Sequence, residues 1–153
     1  LQFVTRKITS GLAQIKNGHN TPLKLGNFSA CRDWSCAVEF MEGAYSLIEN
    51  SIFGDFIFAS GETTTVRELL TQAAKAAGFK PSFEGIVFNE VCIDSKTGKI
   101  LAVSDKKFYR ETDSYKVVGD SSLILQATGW RPNRNILEVV EEMTFADIKR
   151  ASK

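Results

Sequence analysis

The sequence predicts an α/β fold, and three observations carry that expectation. Apolar residues recur at helical spacing in several segments. Short continuous apolar runs, suited to strands, stand between them. Glycines and prolines fall at the ends of these segments, as in a single packed unit. At 153 residues the chain is long enough to bury a core, and one unit over residues 1–153 is the expectation.

The elements follow in order. Val4, Ile8, Leu12 and Ile15 mark a first helix, which Gly18 is placed to end. Gly11 weakens it, since a glycine inside a helix costs about 1 kcal/mol against alanine. Leu23-Lys24-Leu25 reads as a short strand closing at Gly26. Val38, Met41, Tyr45 and Ile48 form the apolar stripe of a second helix, with Ser35 or Asp33 as its cap. Phe56-Ile57-Phe58-Ala59 suits a strand buried on both faces, as in a parallel sheet.

Thr65-Val66-Arg67-Glu68 is a capping box, in which hydroxyl and carboxylate satisfy each other's orphan amides. The helix it opens runs through Leu69, Leu70 and Ala73 to Gly78, and Pro81 enforces a stop. Ile86-Val87-Phe88 and Lys99-Ile100-Leu101-Ala102-Val103 read as strands around a turn at Asp94-Ser95-Lys96-Thr97-Gly98. Asp120 caps a short helix ending at Gly129. Asn135 opens a last helix through Val139, Val140 and Phe145. The aromatics Phe53, Phe56, Phe58, Phe79 and Phe83 read as core.

Composition excludes some function classes. Hydrophobic content of 43% and charged content of 24% are ordinary, and the net charge of +1 gives no footprint for nucleic acid or an anionic membrane. No apolar run has the length of a membrane span and no signal-peptide pattern opens the chain, so a cytoplasmic protein is expected. Cys31, Cys36 and Cys92 are an odd number without paired spacing and read as free thiols. His19 sits in a turn without partner ligands, so no metal site is expected.

The candidate chemistry centres on Arg32 and Arg110. Planar guanidinium groups bind phosphate oxygens in bidentate fashion. Two of them on a diphosphate would supply about 3–6 kcal/mol, at 1.5–3 each. The alternative is surface ion pairing, worth about 0–1 kcal/mol, and spacing alone favours it. Asp113, three residues after Arg110, is suited to accept hydrogen bonds from ribose hydroxyls. Arg6 and Lys7 are unfavourable at a helix start unless an anion or an acidic side chain lies nearby. The chain has no Gly-x-Gly-x-x-Gly, no phosphate loop and no Tyr-x-x-x-Lys, so it offers no catalytic residues.

A resemblance carries the reading further. Phe3-Val4-Thr5-Arg6-Lys7-Ile8, Leu25-Gly26-Asn27, Arg32-Asp33-Trp34 and Phe56-Ile57-Phe58-Ala59-Ser60-Gly61 followed by Val66-Arg67-Glu68 resemble the GDP-mannose 4,6-dehydratases. So do Tyr109-Arg110, Val118-Gly119-Asp120, Gly129-Trp130 and Pro132. These enzymes are extended short-chain dehydrogenase/reductases, and the match covers the C-terminal half of the family's chain. The resemblance implies the last Rossmann-sheet elements plus a small α/β substrate-binding domain, with the NADP-binding Rossmann portion absent. It also implies the reaction. GDP-mannose is oxidised at C4 with bound NADP, loses water across C5–C6 and regains hydride at C6.

The family's Gly-rich loop and its Thr/Ser, Glu, Tyr and Lys have no counterpart here, so the isolated chain is expected to be inactive. Substrate binding is what carries over. Arg32 and Arg110 match the diphosphate clamp, and Asp113 stands where the family has an acidic residue, usually Glu. Val4 and Lys7 match the segment that meets the nucleotide, with Leu25 and Asn27 beside the base. The family also implies a homo-oligomer at full length. Three departures stand out: Ser35-Cys36 replaces Gly-His, Glu39-Phe40 replaces a later Asp-Tyr, and Arg110-Glu111-Thr112-Asp113-Ser114 replaces Arg-Pro-Thr-Glu-Val. The alternatives are another nucleotide-sugar epimerase, reductase or dehydratase, or a non-catalytic nucleotide-binding remnant.

Overall fold

The computed structural model describes residues 3–110 and 116–152. The first helix, α1 (Val4–Lys16), buries Ile8, Leu12 and Ile15 as its spacing demands. Gly18 follows it with a φ of 99°, a left-handed turn that a side chain would resist. Strand β1 (Leu23–Leu25) points Leu23 and Leu25 inward and Lys24 outward. It pairs parallel with β6 (Ile100–Ser104), and β6 pairs antiparallel with β5 (Val91–Asp94). The outer strand is β4 (Pro81–Glu84), so the sheet order is β1-β6-β5-β4.

The turn between β5 and β6 falls where the sequence puts it. Asp94 Oδ2 accepts the Thr97 hydroxyl at 2.6 Å, and the Asp94 carbonyl accepts the amide of Gly98 at 2.8 Å. The preceding strand does not fall where expected. Pro81 opens β4 rather than only ending a helix, while Ile86 to Phe88 form no strand. Val87 has a φ of 50°, a left-handed conformation that breaks any ladder, and residues Val87–Asn89 make a short 3-10 turn.

Helix α3 (Val66–Ala76) starts at the expected capping box. Thr65 Oγ1 accepts the Glu68 amide at 3.1 Å, and Glu68 accepts the Thr65 amide at 2.7 Å. Its apolar face meets α1 and the final helix, α5 (Ile136–Ala151). Leu69, Leu70, Phe28, Leu101 and Val140 are buried in this core together with Ile8 and Leu12. A buried Asp147 locks α5 to α1 through Arg6, with Arg150 at 2.7 Å and the Thr9 hydroxyl at 2.8 Å. The cationic start of α1 is thus partly answered by an acidic side chain.

Helix α2 (Ala37–Glu49) exists as expected, but its cap and its buried side differ. Cys36 is the N-cap residue and gives no side-chain bond, because Asp33 is engaged elsewhere. Val38, Met41, Tyr45 and Ile48 are exposed. The inward residues are Phe40, Gly43 and Glu39. Phe40 packs edge-on against Trp130 and beside Phe58, at centroid distances of 5.9 Å to each. A Cβ on Gly43 would lie 2.7 Å from Phe58 and 2.8 Å from Trp130, so the close approach requires glycine. Glu39 accepts the amides of Asn133 at 2.8 Å and Arg134 at 3.2 Å.

Residues 56–59 form no strand among the described residues. A strand of that apolar character needs neighbours on both edges, and none pairs with it here. Phe53, read as core, is 89% exposed. A two-residue ladder joins β2 (Cys31–Arg32) to β3 (Thr64–Thr65), and Arg32 bridges in parallel to Val117. The last short helix, α4 (Ser122–Thr128), has Ser121 at its N-cap. Asp120 accepts the Ser122 amide, and Gly129 ends the helix with a φ of 74°.

Candidate functional site

The carboxyl ends of the parallel pair β1 and β6 open into a cavity of about 570 Å³. Ligands of α/β folds bind beyond the carboxyl ends of strands. Beyond β1 the chain makes the Gly26–Asn27 corner; beyond β6 it runs through a 3-10 turn (Lys106–Phe108) to Arg110. Backbone bonds fix the two exits together. The Asp105 amide donates to the Leu25 carbonyl at 2.7 Å, and the Ser104 hydroxyl donates to the Gly26 carbonyl at 3.1 Å. A Cβ on Gly26 would collide with the Phe108 carbonyl, so glycine is what lets these exits approach.

Six of the seven residues expected from sequence meet in this cavity: Val4, Lys7, Leu25, Asn27, Arg32 and Arg110. Asp113 lies outside the described residues. Arg32 Nη1 donates to the carbonyl of Cys31 at 2.7 Å, which folds the guanidinium back along its own strand. The Asn27 carboxamide oxygen accepts the Ser29 amide at 2.9 Å and shapes the turn that leads to α3. That turn is pinned by the Val66 and Arg67 amides, which donate to Ala30 and Phe28 at 3.0 and 2.8 Å.

The first turn of α1 forms another wall. Its N-cap, Phe3, provides no side-chain bond, and the turn holds no acidic residue. The leading amides therefore retain the partial positive charge of a helix start. Lys7, one turn in, lies with Nζ 3.8 Å from the centroid of the Phe108 ring. Burial pushes its ammonium below the ordinary lysine value, while the charge of Asp105 opposes the shift. The cavity thus combines two guanidinium groups, an ammonium and a helix start with apolar walls at Val4, Leu25 and Val66.

Sequence reasoning missed Phe3, Trp34 and Phe108 as wall residues. A signal was present for one of them. Trp34 belongs to the Arg32-Asp33-Trp34 motif, two residues from Arg32 and so on the same side of an extended chain. Phe108 ends a 3-10 turn, where two-residue spacing gives no such signal.

The sequence model of a family described as GDP-mannose 4,6 dehydratase matches residues 1–143. A GDP-mannose 4,6 dehydratase from Cricetulus griseus is 37% identical over 147 residues, which cover 96% of this chain and 40% of that protein. The protein of the same name from Homo sapiens is 35% identical over 147 residues, again 96% and 40%. A GDP-mannose 4,6-dehydratase from Sinorhizobium fredii is 34% identical over 146 residues, covering 95% of this chain and 42% of the relative. The chain thus spans about two-fifths of these relatives.

Two solved structures share the fold. RMD from Pseudomonas aeruginosa, complexed with NADPH, aligns with a TM-score of 0.74 at 21% identity, over 97% of this chain and 43% of that one. UDP-glucuronic acid 4-epimerase from Bacillus cereus, in complex with NAD, gives 0.61 at 14% identity, over 95% and 40%. The α/β fold is that of the C-terminal part of an extended short-chain dehydrogenase/reductase. With the match extending over nearly its whole length, the chain belongs to the GDP-mannose 4,6-dehydratase family.

Proposed function

We propose that this chain is the nucleotide-sugar-binding portion of a GDP-mannose 4,6-dehydratase, and that its cavity takes the GDP moiety of GDP-mannose. The observation that carries the reading is the meeting of Arg32 and Arg110 with Lys7 and the uncapped start of α1 around one cavity. Three cationic side chains, Lys7, Arg32 and Arg110, line it. A diphosphate is an anion of the right charge and shape for such a clamp. The apolar walls at Val4 and Leu25 suit the face of a base, and Asp113 is proposed for the ribose.

The described residues do not fit a nicotinamide cofactor. The helices begin after Phe3, Cys36, Thr65, Ser121 and Asn135, and none follows a Gly-rich turn from a parallel strand. NADP and the catalytic Thr/Ser, Glu, Tyr and Lys are proposed to belong to sequence outside this chain. The whole enzyme would be a cytoplasmic lyase and a homo-oligomer. No helix among the described residues is long and apolar enough to cross a membrane.

Calorimetric titration of the 153-residue chain with GDP and UDP tests the reading. Two arginine contacts at about 1.5–3 kcal/mol each give roughly millimolar binding before base and sugar contacts are added. GDP is expected to bind more tightly than UDP. Equal or tighter UDP binding would favour a different nucleotide-sugar enzyme of the same superfamily, whose members share the arginine clamp. NADP-dependent turnover of GDP-mannose by the chain alone would contradict the assignment of catalysis to other sequence.

A further inference from the structure

Asp33 stands between two residues of the cavity wall without lining the cavity itself. Arg32 and Trp34 face inward, and the carboxylate between them serves a separate set of partners. Oδ1 accepts the Ser60 hydroxyl at 2.6 Å and the Ser60 amide at 3.1 Å. Oδ2 accepts the Gly61 amide at 3.0 Å and the Gly119 amide at 3.3 Å. One side chain therefore gathers the end of β2, the 60–61 turn and the segment at 119.

Among the described residues, no continuous strand ladder joins these segments to one another. Residues 56–59 form no ladder, and the bridge from Arg32 to Val117 is an isolated one. The Gly119 backbone lies so close to Ala59 that a Cβ there would collide with it. The clasp thus does behind the chain what a sheet ladder would otherwise do. It fixes the backbone from which the Arg32 guanidinium and the Trp34 indole project.

We propose that Asp33 is a positioning residue, whose carboxylate holds Arg32 in the direction needed to bind the diphosphate of a nucleotide sugar. The inference rests on the nucleotide-binding reading of the cavity. A charged acceptor suits the task, since four donors converge on two oxygens and each bond to a carboxylate is stronger than its neutral counterpart. Replacement by the isosteric amide turns one acceptor into an NH2 group facing other donors. The backbone then shifts, and a clamp that tolerates little displacement loses affinity.

The test is a double-mutant cycle on the full chain, with GDP as the titrated probe and urea unfolding run in parallel. D33N is expected to raise the GDP Kd about tenfold, in line with coupling between residues of one network. On an R32A background, D33N is expected to change Kd little further. A purely structural Asp33 would weaken binding equally in both backgrounds, and that additivity overturns the proposal. S60A removes the 2.6 Å hydroxyl bond to Asp33 and two 3.2 Å bonds with the Glu62 backbone, and it leaves the Ser60 amide bond to Asp33 in place. It provides the same cycle should D33N unfold, with a smaller loss that also vanishes on R32A. If R32A itself leaves GDP affinity unchanged, the diphosphate reading of Arg32 fails, and the positioning proposal with it. If R32A weakens binding while the cycles are additive, only the positioning proposal fails.

Discussion

Lys7 Nζ lies 3.8 Å above the ring of Phe108, joining the first helix to the exit of β6 across the mouth of the cavity. The contact ties a cation to an aromatic face at a site half shielded from water, where such pairs contribute about 0.5–2 kcal/mol. It also holds the ammonium at the cavity wall. F108A is therefore expected to weaken GDP binding and to lower stability by about 1 kcal/mol. Titration and urea unfolding check both, and an unchanged Kd would remove Phe108 from the binding wall.

Lys7 also makes the site sensitive to alkali. Burial lowers its pKa below the ordinary 10.5, against the opposing charge of Asp105. The unfolded chain then holds the proton more tightly than the folded one. Stability contributed by this group rises as pH climbs through the lowered folded value and levels off near 10.5. A bound diphosphate acts in the opposite sense, because it favours the ammonium. GDP binding is expected to weaken over that window and to take up protons, and K7M should flatten both trends. Proton uptake measured by titration in two buffers of different ionisation heat decides the matter; release in place of uptake would refute it.

Gly26 is a second point where geometry sets function. Its α-carbon lies so close to the Phe108 carbonyl that alanine has no room. G26A must separate the exits of β1 and β6, at about 1–3 kcal/mol, the usual cost of overpacking. The same shift moves Phe108 and Arg110 away from Asn27, so affinity for GDP is expected to fall with stability. G98A is the comparison: nothing stands near its added Cβ, and only the strain of a φ of 74° applies. Loss of stability with G98A but no loss of GDP affinity is the expected contrast.

The capping box gives a prediction that does not depend on any ligand. Thr65 to Ala removes the acceptor of the Glu68 amide and is expected to cost about 1 kcal/mol. The Thr65 amide and hydroxyl hold the Glu68 carboxyl below its usual range, against a small opposing effect of burial. Its contribution is therefore complete above the unfolded value of 4.5 and is lost as pH falls through the lowered folded value. Urea midpoints followed from neutral to acid pH should show T65A losing less stability than wild type over that range.

What the sequence revealed depended on how local the cause was. Helix α1, helix α3 and the turn at Asp94 are specified by residues within a few positions of one another, and they stand where the spacing puts them. Helix α2 was legible as a helix but not in orientation. Its anchor is Glu39, bound to amides more than 90 positions away, and no periodicity shows that. The Ile86 to Phe88 run looked like a strand by composition, yet the left-handed Val87 breaks it, and the less apolar Pro81–Glu84 is the strand instead. The cavity residues came from family resemblance. Spacing alone treated Arg32 and Arg110 as surface charges, since only the parallel pairing of β1 with β6 brings them to one wall.

The apolar face of α2 leads to the last expectation. Val38, Met41, Tyr45 and Ile48 are 63%, 66%, 60% and 73% exposed, and Ile57, in a segment that joins no ladder among the described residues, is 58% exposed. A stripe of this kind, next to backbone groups with no ladder, favours association with another apolar or strand-edge surface. The relatives of this family are more than twice as long, so their additional sequence is a natural cover for such a face. For the chain by itself the consequence is self-association. Sedimentation of wild type is expected to show concentration-dependent growth in mass, and V38K with I48K should suppress it. Because both positions face water, the double variant should keep its unfolding midpoint within about 0.5 kcal/mol of wild type per site. A monomeric wild type at all concentrations, or a double variant that unfolds, would mean that the stripe is covered from within the chain.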